Sequence, residues 1–181
     1  MNKMQQLKRR FFAMRNGVIA DALRRSGEPY RIFFGLNLPH IKEIAADFAP
    51  DAELAAALRA DPGCRESQMI APMLLTPEDV TVTEAVEWLA KLKATEASDI
   101  LCHALLRHHP QASEIVDAAL AGESDMAHYG AVRLMWNIFR TDMARYKDLA
   151  ATEATRGNTA AAIIARNLVE EIEFLQEDFG N

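Results

Sequence analysis

Cysteine is almost missing from this chain. Its 181 residues include two, Cys64 and Cys102, and neither belongs to a CxxC pair or a Cys/His zinc spacing. That excludes a disulfide-stapled scaffold, which a chain of this length does not need in order to bury a core. Cys102 lies in an apolar helical run, where a reduced, buried thiol is expected, so a reducing compartment follows. Glycine and proline are sparse, at eight and seven, and fall between segments rather than inside them. Strict apolar/polar alternation is nearly absent as well, which leaves little room for a sheet. No run approaches the roughly 18 to 20 apolar residues of a membrane span, and the opening MNKMQQLKRR has no apolar signal-peptide core. The expectation is a cytoplasmic protein without a membrane partner. Basic residues are in deficit, 20 against 26 acidic, for a net charge of -6. Broad affinity for phosphate backbones comes from lysine and arginine displacing counterions, and the overall balance disfavours it.

The charge is unevenly spread. Residues 1–25 carry Lys3, Lys8, Arg9, Arg10, Arg15, Arg24 and Arg25 against Asp21 alone, and the other end carries Glu170, Glu171, Glu173, Glu177 and Asp178. A local basic surface on an acidic protein is compatible with that pattern, as is a plain solvated helix face.

Abundant alanine and leucine at helical spacing make the fold all-α. A first helix is expected over about 3–26, with Met4, Leu7, Phe11, Met14, Val18 and Leu23 as its apolar stripe and Ser26-Gly27 as its stop. The extended EPYRIFFGLNLPH leads to a helix near 40–49, with Pro39 at its first turn. Further helices are expected near 51–60, 65–75, 82–93, 95–108, 112–121, 125–140, 142–155 and 158–177. Thr81 with Glu84 has the spacing of a capping box, and Ser124 and Asn158 suit N-caps. Helix starts near 65, 95 and 125 recur at about thirty residues, the loose period of a helical solenoid. One domain, 1–181, is therefore expected as HEAT-like repeats forming a curved α-solenoid, an α-α superhelix. Its pairs would lie near 40–60, 65–93, 95–121 and 125–155, capped by helices 3–26 and 158–177. A compact helical bundle is the competing architecture.

The stretch GLNLPHIKEIAADFAPDAELAAALRADPGCRESQMIAPML resembles the opening of the DNA alkylation repair family, whose HEAT-like helical repeats include alkylpurine DNA glycosylases. The resemblance rests on Gly35-Leu36, Pro39, Ile41, Ile44-Ala45, Glu53-Leu54-Ala55, Leu58, Arg65-Glu66, Ala71 and Leu74 in order, and extends over roughly residues 30–140. Active members carry a Trp, then seven residues on a Trp-Asp-x-x-Asp cluster, with a Cys three positions further. Laid on Trp88 without a gap, that pattern puts Thr95 at the second Trp, Glu96 beside it, Asp99 at the catalytic aspartate and Cys102 at the cysteine. In the later helix, DMAHYGAVRLMW places Met126 or a neighbour where another Trp is expected and Tyr129 where an arginine usually stands. The resemblance thus implies Asp99 as the catalytic carboxylate and Thr95, Met126, Tyr129 and Arg133 as lesion- or DNA-contacting residues. Both aromatic walls are altered.

An N3- or N7-alkylated purine is cationic and already a good leaving group, so its release mainly requires stabilising the positive sugar left behind. A carboxylate in a water-poor cleft does so, and also orients the attacking water. Aromatic faces add attraction for the cation, and losing two such contacts would slow the reaction by orders of magnitude, at about tenfold per 1.36 kcal/mol. The expected function is duplex DNA binding with weakened or lost N-glycosidic hydrolysis. A non-catalytic scaffold holding a protein partner on its concave face is the alternative. No cofactor is implied.

Plainer readings stand beside these. Asp99 fits an exposed helix face, and Trp88 and Trp136 fit core packing. Tyr129 and Arg133, four apart, suit a phosphate contact or an ordinary surface pair. His103, His108 and His109 suggest no metal site, since His108 and His109 fall where a helix ends and a histidine is a favourable C-terminal cap.

Overall fold

The computed structural model describes residues 2–178. Every regular element among them is helical, with one isolated backbone bridge between Ile32 and Cys64. The all-α expectation therefore holds. No helix among the described residues is long and apolar enough to cross a membrane. The chain divides into two compact units, split between Asp79 and Val80.

The first unit contains α1 (Lys3–Ala13), α2 (Gly17–Arg25), α3 (Leu38–Phe48), α4 (Ala52–Arg59) and α5 (Arg65–Ile70). The single helix expected over 3–26 is two. The Met14 N–H closes α1 on the Arg10 carbonyl, and the Arg15 N–H bonds that of Phe12. Asn16 then turns extended, and its side chain accepts the Ile19 N–H to cap α2. Asparagine prefers that role to a helix interior because its side chain competes for nearby backbone groups. Of the expected stripe, Leu7 and Phe11 are fully buried, whereas Val18 is 78% exposed.

The basic residues of α1 are largely neutralised within this unit. Lys3 pairs with Asp51, Lys8 with Asp61, and Arg10 with Glu43 and Asp47. The charge asymmetry visible in sequence thus becomes a set of ion pairs rather than an unbroken basic face, though Arg9, Arg15 and Arg25 pair with no carboxylate among the described residues.

The extended stretch before α3 is fixed from below by Glu66, whose side chain is fully buried. Its oxygens accept the N–H groups of Phe34, Gly35 and Leu36 at 3.1, 2.9 and 3.3 Å. Arg65 Nη1 bridges Glu66 Oε1 at 3.1 Å and the Leu36 carbonyl at 3.0 Å. Three backbone donors and a guanidinium satisfy a charge that would otherwise be prohibitive to bury. Gly35 sits at φ +73°, and a Cβ there would lie 2.2 Å from the Asn16 carbonyl oxygen, so only glycine fits. Asn37 caps α3, with Pro39 in its first turn as expected.

The second unit contains α6 (Val82–Lys91), α7 (Thr95–Ala104), α8 (Ala112–Leu120), α9 (Asp125–Ile138), α10 (Met143–Ala154) and α11 (Ala160–Asp178). Within it α7 packs on α9, α9 on α11, α6 on α8, α8 on α9 and α10 on α11. The Thr81/Glu84 capping box forms, and Ser124 caps α9. At α11 it is Thr159 rather than Asn158 whose side chain accepts a first-turn N–H, that of Ala162. Trp88 is buried. Trp136 is half-buried and ties α9 to α11 by donating to the Ile164 carbonyl at 3.3 Å. His109 stands at the C-cap position of the 3-10 turn Leu106–His108, but its side chain bonds elsewhere. It is buried, with Nε2 donating to the Val80 carbonyl at 2.8 Å and Nδ1 accepting the Gln111 N–H at 3.0 Å, which makes it a pin between two loops.

Candidate active site

The sequence places the site on α7 and α9, and the packing of α6 against α9 sets its depth. Gly130 sits on the buried face of α9, where a Cβ would come within 2.4 Å of Leu89 Cδ2 of α6. Glycine therefore lets the two helices approach closely. The carbonyl of Gly130 also accepts the Cys102 thiol at 3.3 Å, joining α9 to α7. Burial pushes that thiol up to about 12, so it stays a protonated donor, as the reading of a reduced core cysteine predicts.

With α7 and α9 joined, residues at helical spacing line up across the seam. On α7 these are Thr95, Asp99 and His103, and on α9 they are Tyr129, Arg133 and Asn137. The Tyr129 hydroxyl donates to Asp99 Oδ1 at 2.9 Å. Arg133 Nε stands 2.8 Å from the same oxygen, yet this buried N–H is not aligned on it and makes no hydrogen bond. The contact is an ion pair, and the guanidinium keeps its directed donors for other acceptors. Asp99 Oδ2 has no hydrogen-bond partner among the described residues.

Burial is uneven. Tyr129 is 7% exposed, and the side chains of Asp99 and Arg133 are 35% and 34% exposed. Asp99 is therefore neither a fully solvated helix residue nor a core residue. Partial burial raises its carboxyl above the ordinary aspartate value. The Tyr129 hydroxyl and the Arg133 charge pull it back, and burial wins. Tyr129 is pushed up to about 12 by burial, the negative Asp99 and the hydrogen bond to it, with Arg133 and the Thr95 hydroxyl acting the other way. It remains a donor at neutral pH.

Four of the five residues singled out by sequence thus gather in one place: Asp99, Tyr129, Arg133 and, at the exposed start of α7, Thr95. Met126 is half-buried in the first turn of α9, one turn before Tyr129. Neither Thr95 nor Met126 supplies an aromatic face. Asn137, which sequence reasoning left out, belongs to the same seam. Its amide donates to the Arg133 carbonyl at 2.7 Å, and its Oδ1 lies 3.2 Å from His103 Nδ1. The spacing 129, 133, 137 was the signal available for it. No group of three or more His, Cys, Asp and Glu side chains is placed to hold a metal among the described residues.

A helical protein that fixes one half-buried aspartate by a tyrosine and an arginine from the neighbouring helix, with one carboxylate oxygen left over, has a site suited to stabilising positive charge. The chain belongs to the DNA alkylation repair enzyme family, whose model matches residues 7–180. No curated protein and no solved structure matches it.

Proposed function

We propose that this protein binds duplex DNA through HEAT-like helical repeats and that Asp99 promotes hydrolysis of the N-glycosidic bond of N3- or N7-alkylated purines, at a rate below that of family members with an aromatic-lined site. The observation that carries this reading is the division of labour on Asp99. Oδ1 is held by Tyr129 and Arg133, while Oδ2 makes no hydrogen bond to a described residue. A carboxylate oriented through one oxygen presents the other to a developing sugar cation or an attacking water without reorganising. Arg133 plays two parts: it pairs with Asp99 through the buried Nε side, and the exposed part of its guanidinium suits a phosphate oxygen. The same arginine tempers the negative charge of Asp99, and the missing tryptophans remove the cation-attracting walls. Both effects lower the rate.

A second reading, binding without catalysis, is favoured by Thr95. The residue beside Asp99 is a small, exposed hydroxyl with no stacking face for a cationic base. Release of 7-methylguanine from methylated duplex DNA, measured for the wild type beside Asp99→Asn, separates the two. Release abolished by Asp99→Asn supports catalysis. DNA affinity without release supports the second reading, and neither affinity nor release at low salt sinks both.

A further inference from the structure

We propose that Arg107, set between His103 and His108, is a phosphodiester-binding residue on the face that carries Asp99. This rests on the DNA reading above.

Three of the six arginines of the second unit are committed to carboxylates, Arg166 bonds the carbonyls of Ala154 and Gly157, and Arg140 lies over the Phe139 ring. Arg133 faces Asp99, Arg145 faces Asp117, and Arg156 faces Glu153 and Asp125. Arg107 faces no carboxylate among the described residues. Its Nε donates to His108 Nε2 at 3.0 Å, and its Nη1 stands 3.2 Å from His103 Nδ1. A guanidinium can only donate, so the two imidazoles orient it without cancelling its charge. Its Nη2 has no protein partner among the described residues. An exposed cation held in place, uncompensated and with donors to spare, is what a phosphate oxygen takes.

The contacts around His103 point the same way. Its Nδ1 lies 3.2 Å from both Arg107 Nη1, a donor, and Asn137 Oδ1, an acceptor. One ring nitrogen cannot serve both. When Nδ1 carries a proton it turns to Asn137 and frees Arg107; when it does not, it holds Arg107. The guanidinium can therefore turn to an incoming anion, at the loss of one weak hydrogen bond.

Position completes the case. Thr95, Asp99 and His103 follow at intervals of four on α7, and Arg107, in the 3-10 turn Leu106–His108 beyond the helix, reaches back to His103, one turn from Asp99. A duplex whose sugar lies at Asp99 and whose backbone runs on past His103 thus brings a neighbouring phosphate to Arg107.

The test is titration of a short undamaged duplex, followed by anisotropy at several salt concentrations, with wild type, Arg107→Ala and Arg107→Lys, together with NMR of the His103 and His108 ring protons. Arg107→Ala is expected to weaken binding severalfold and to lower the slope of log affinity against log salt by about 0.9, one phosphate's worth. Arg107→Lys should restore that slope, and the two rings should shift on binding to the wild type. Wild-type affinity that Arg107→Ala leaves unchanged, or rings that do not shift, overturns the Arg107 assignment while the DNA reading stands. No affinity in the wild type at low salt overturns both.

Discussion

The Tyr129 hydroxyl reaches from α9 to Asp99 Oδ1 on α7 at 2.9 Å, and this contact makes an aspartate on a wet helix edge into an oriented carboxylate. Its removal should be visible without any substrate. Tyr129→Phe deletes one hydrogen bond to a partly exposed acceptor, so unfolding in urea should show a loss of about 1 kcal/mol. The bond also favours the charged form of Asp99. The carboxyl carbon of Asp99, followed by NMR, should therefore titrate at higher pH in Tyr129→Phe than in the wild type. An unchanged titration would mean that burial and Arg133 set the charge state without Tyr129.

Two aspartates should give stability opposite dependences on pH. Lys3 bonds Asp51 and holds its carboxyl below the ordinary value of 3.8, aided by the Leu54 N–H it caps. Its stabilising contribution is present above 3.8 and is lost as pH falls through the lowered folded value. Asp99 is raised, so its contribution is present in full below 3.8 and is lost as pH rises through the raised folded value. Asp51→Asn keeps the cap but loses the ion pair. It should be less stable than the wild type at neutral pH, with the gap closing in acid. Asp99→Asn should gain on the wild type as pH rises from acid to neutral. Urea midpoints across that range decide both, and parallel curves would contradict them.

Sequence pattern reached the helices because they depend on local spacing. Periodicity and punctuation located α3 to α11 within a few residues, whereas Asp99 was singled out by the family resemblance and not by spacing alone. The break at Asn16 stayed hidden because a cap inside an apolar-periodic run looks like a tolerated polar residue until the chain turns. The pairing of Lys3, Lys8 and Arg10 was not legible for another reason. Their partners lie more than thirty residues away, and net charge carries no information about which charges meet. Glu66 had been only a matching letter, whereas its place beneath Phe34, Gly35 and Leu36 gives it a physical role. Asn137 and Arg107 became part of the seam only once the packing of α7 on α9 was known.

Glu66 should be among the least replaceable residues of the first unit. Glu66→Ala leaves the N–H groups of Phe34, Gly35 and Leu36 without their acceptor and removes the buried Arg65–Glu66 ion pair. Breaking a buried pair in this way costs about 3–5 kcal/mol. Glu66→Gln keeps the volume but replaces one acceptor oxygen with a donor that faces donors, so it should rescue only part of the loss. Urea denaturation of both variants measures this. A loss under about 1 kcal/mol for Glu66→Ala would mean that water replaces the carboxylate and that the segment is not held by it.

Gly130 and Leu89 should prove strongly coupled. In Gly130→Ala the new methyl meets Leu89 Cδ2 at 2.4 Å and Cγ at 3.0 Å, well inside van der Waals contact, so Leu89 or the whole of α9 must move. Overpacking of this kind costs about 1–3 kcal/mol. Leu89 is fully buried, and Leu89→Ala alone should lose about 2–5 kcal/mol through the cavity it opens. In the double variant the methyl enters that cavity, so the combined loss should fall below the sum of the two by more than about 0.5 kcal/mol. The same shift tests the site. If α9 moves rather than Leu89, the Tyr129 and Arg133 contacts to Asp99 move with it, and the Asp99 carboxyl titration changes in Gly130→Ala and returns in the double variant. Additive losses with an unchanged titration would mean that α6 yields instead, and that the spacing of α9 from α7 is set by the Cys102 bond to the Gly130 carbonyl alone.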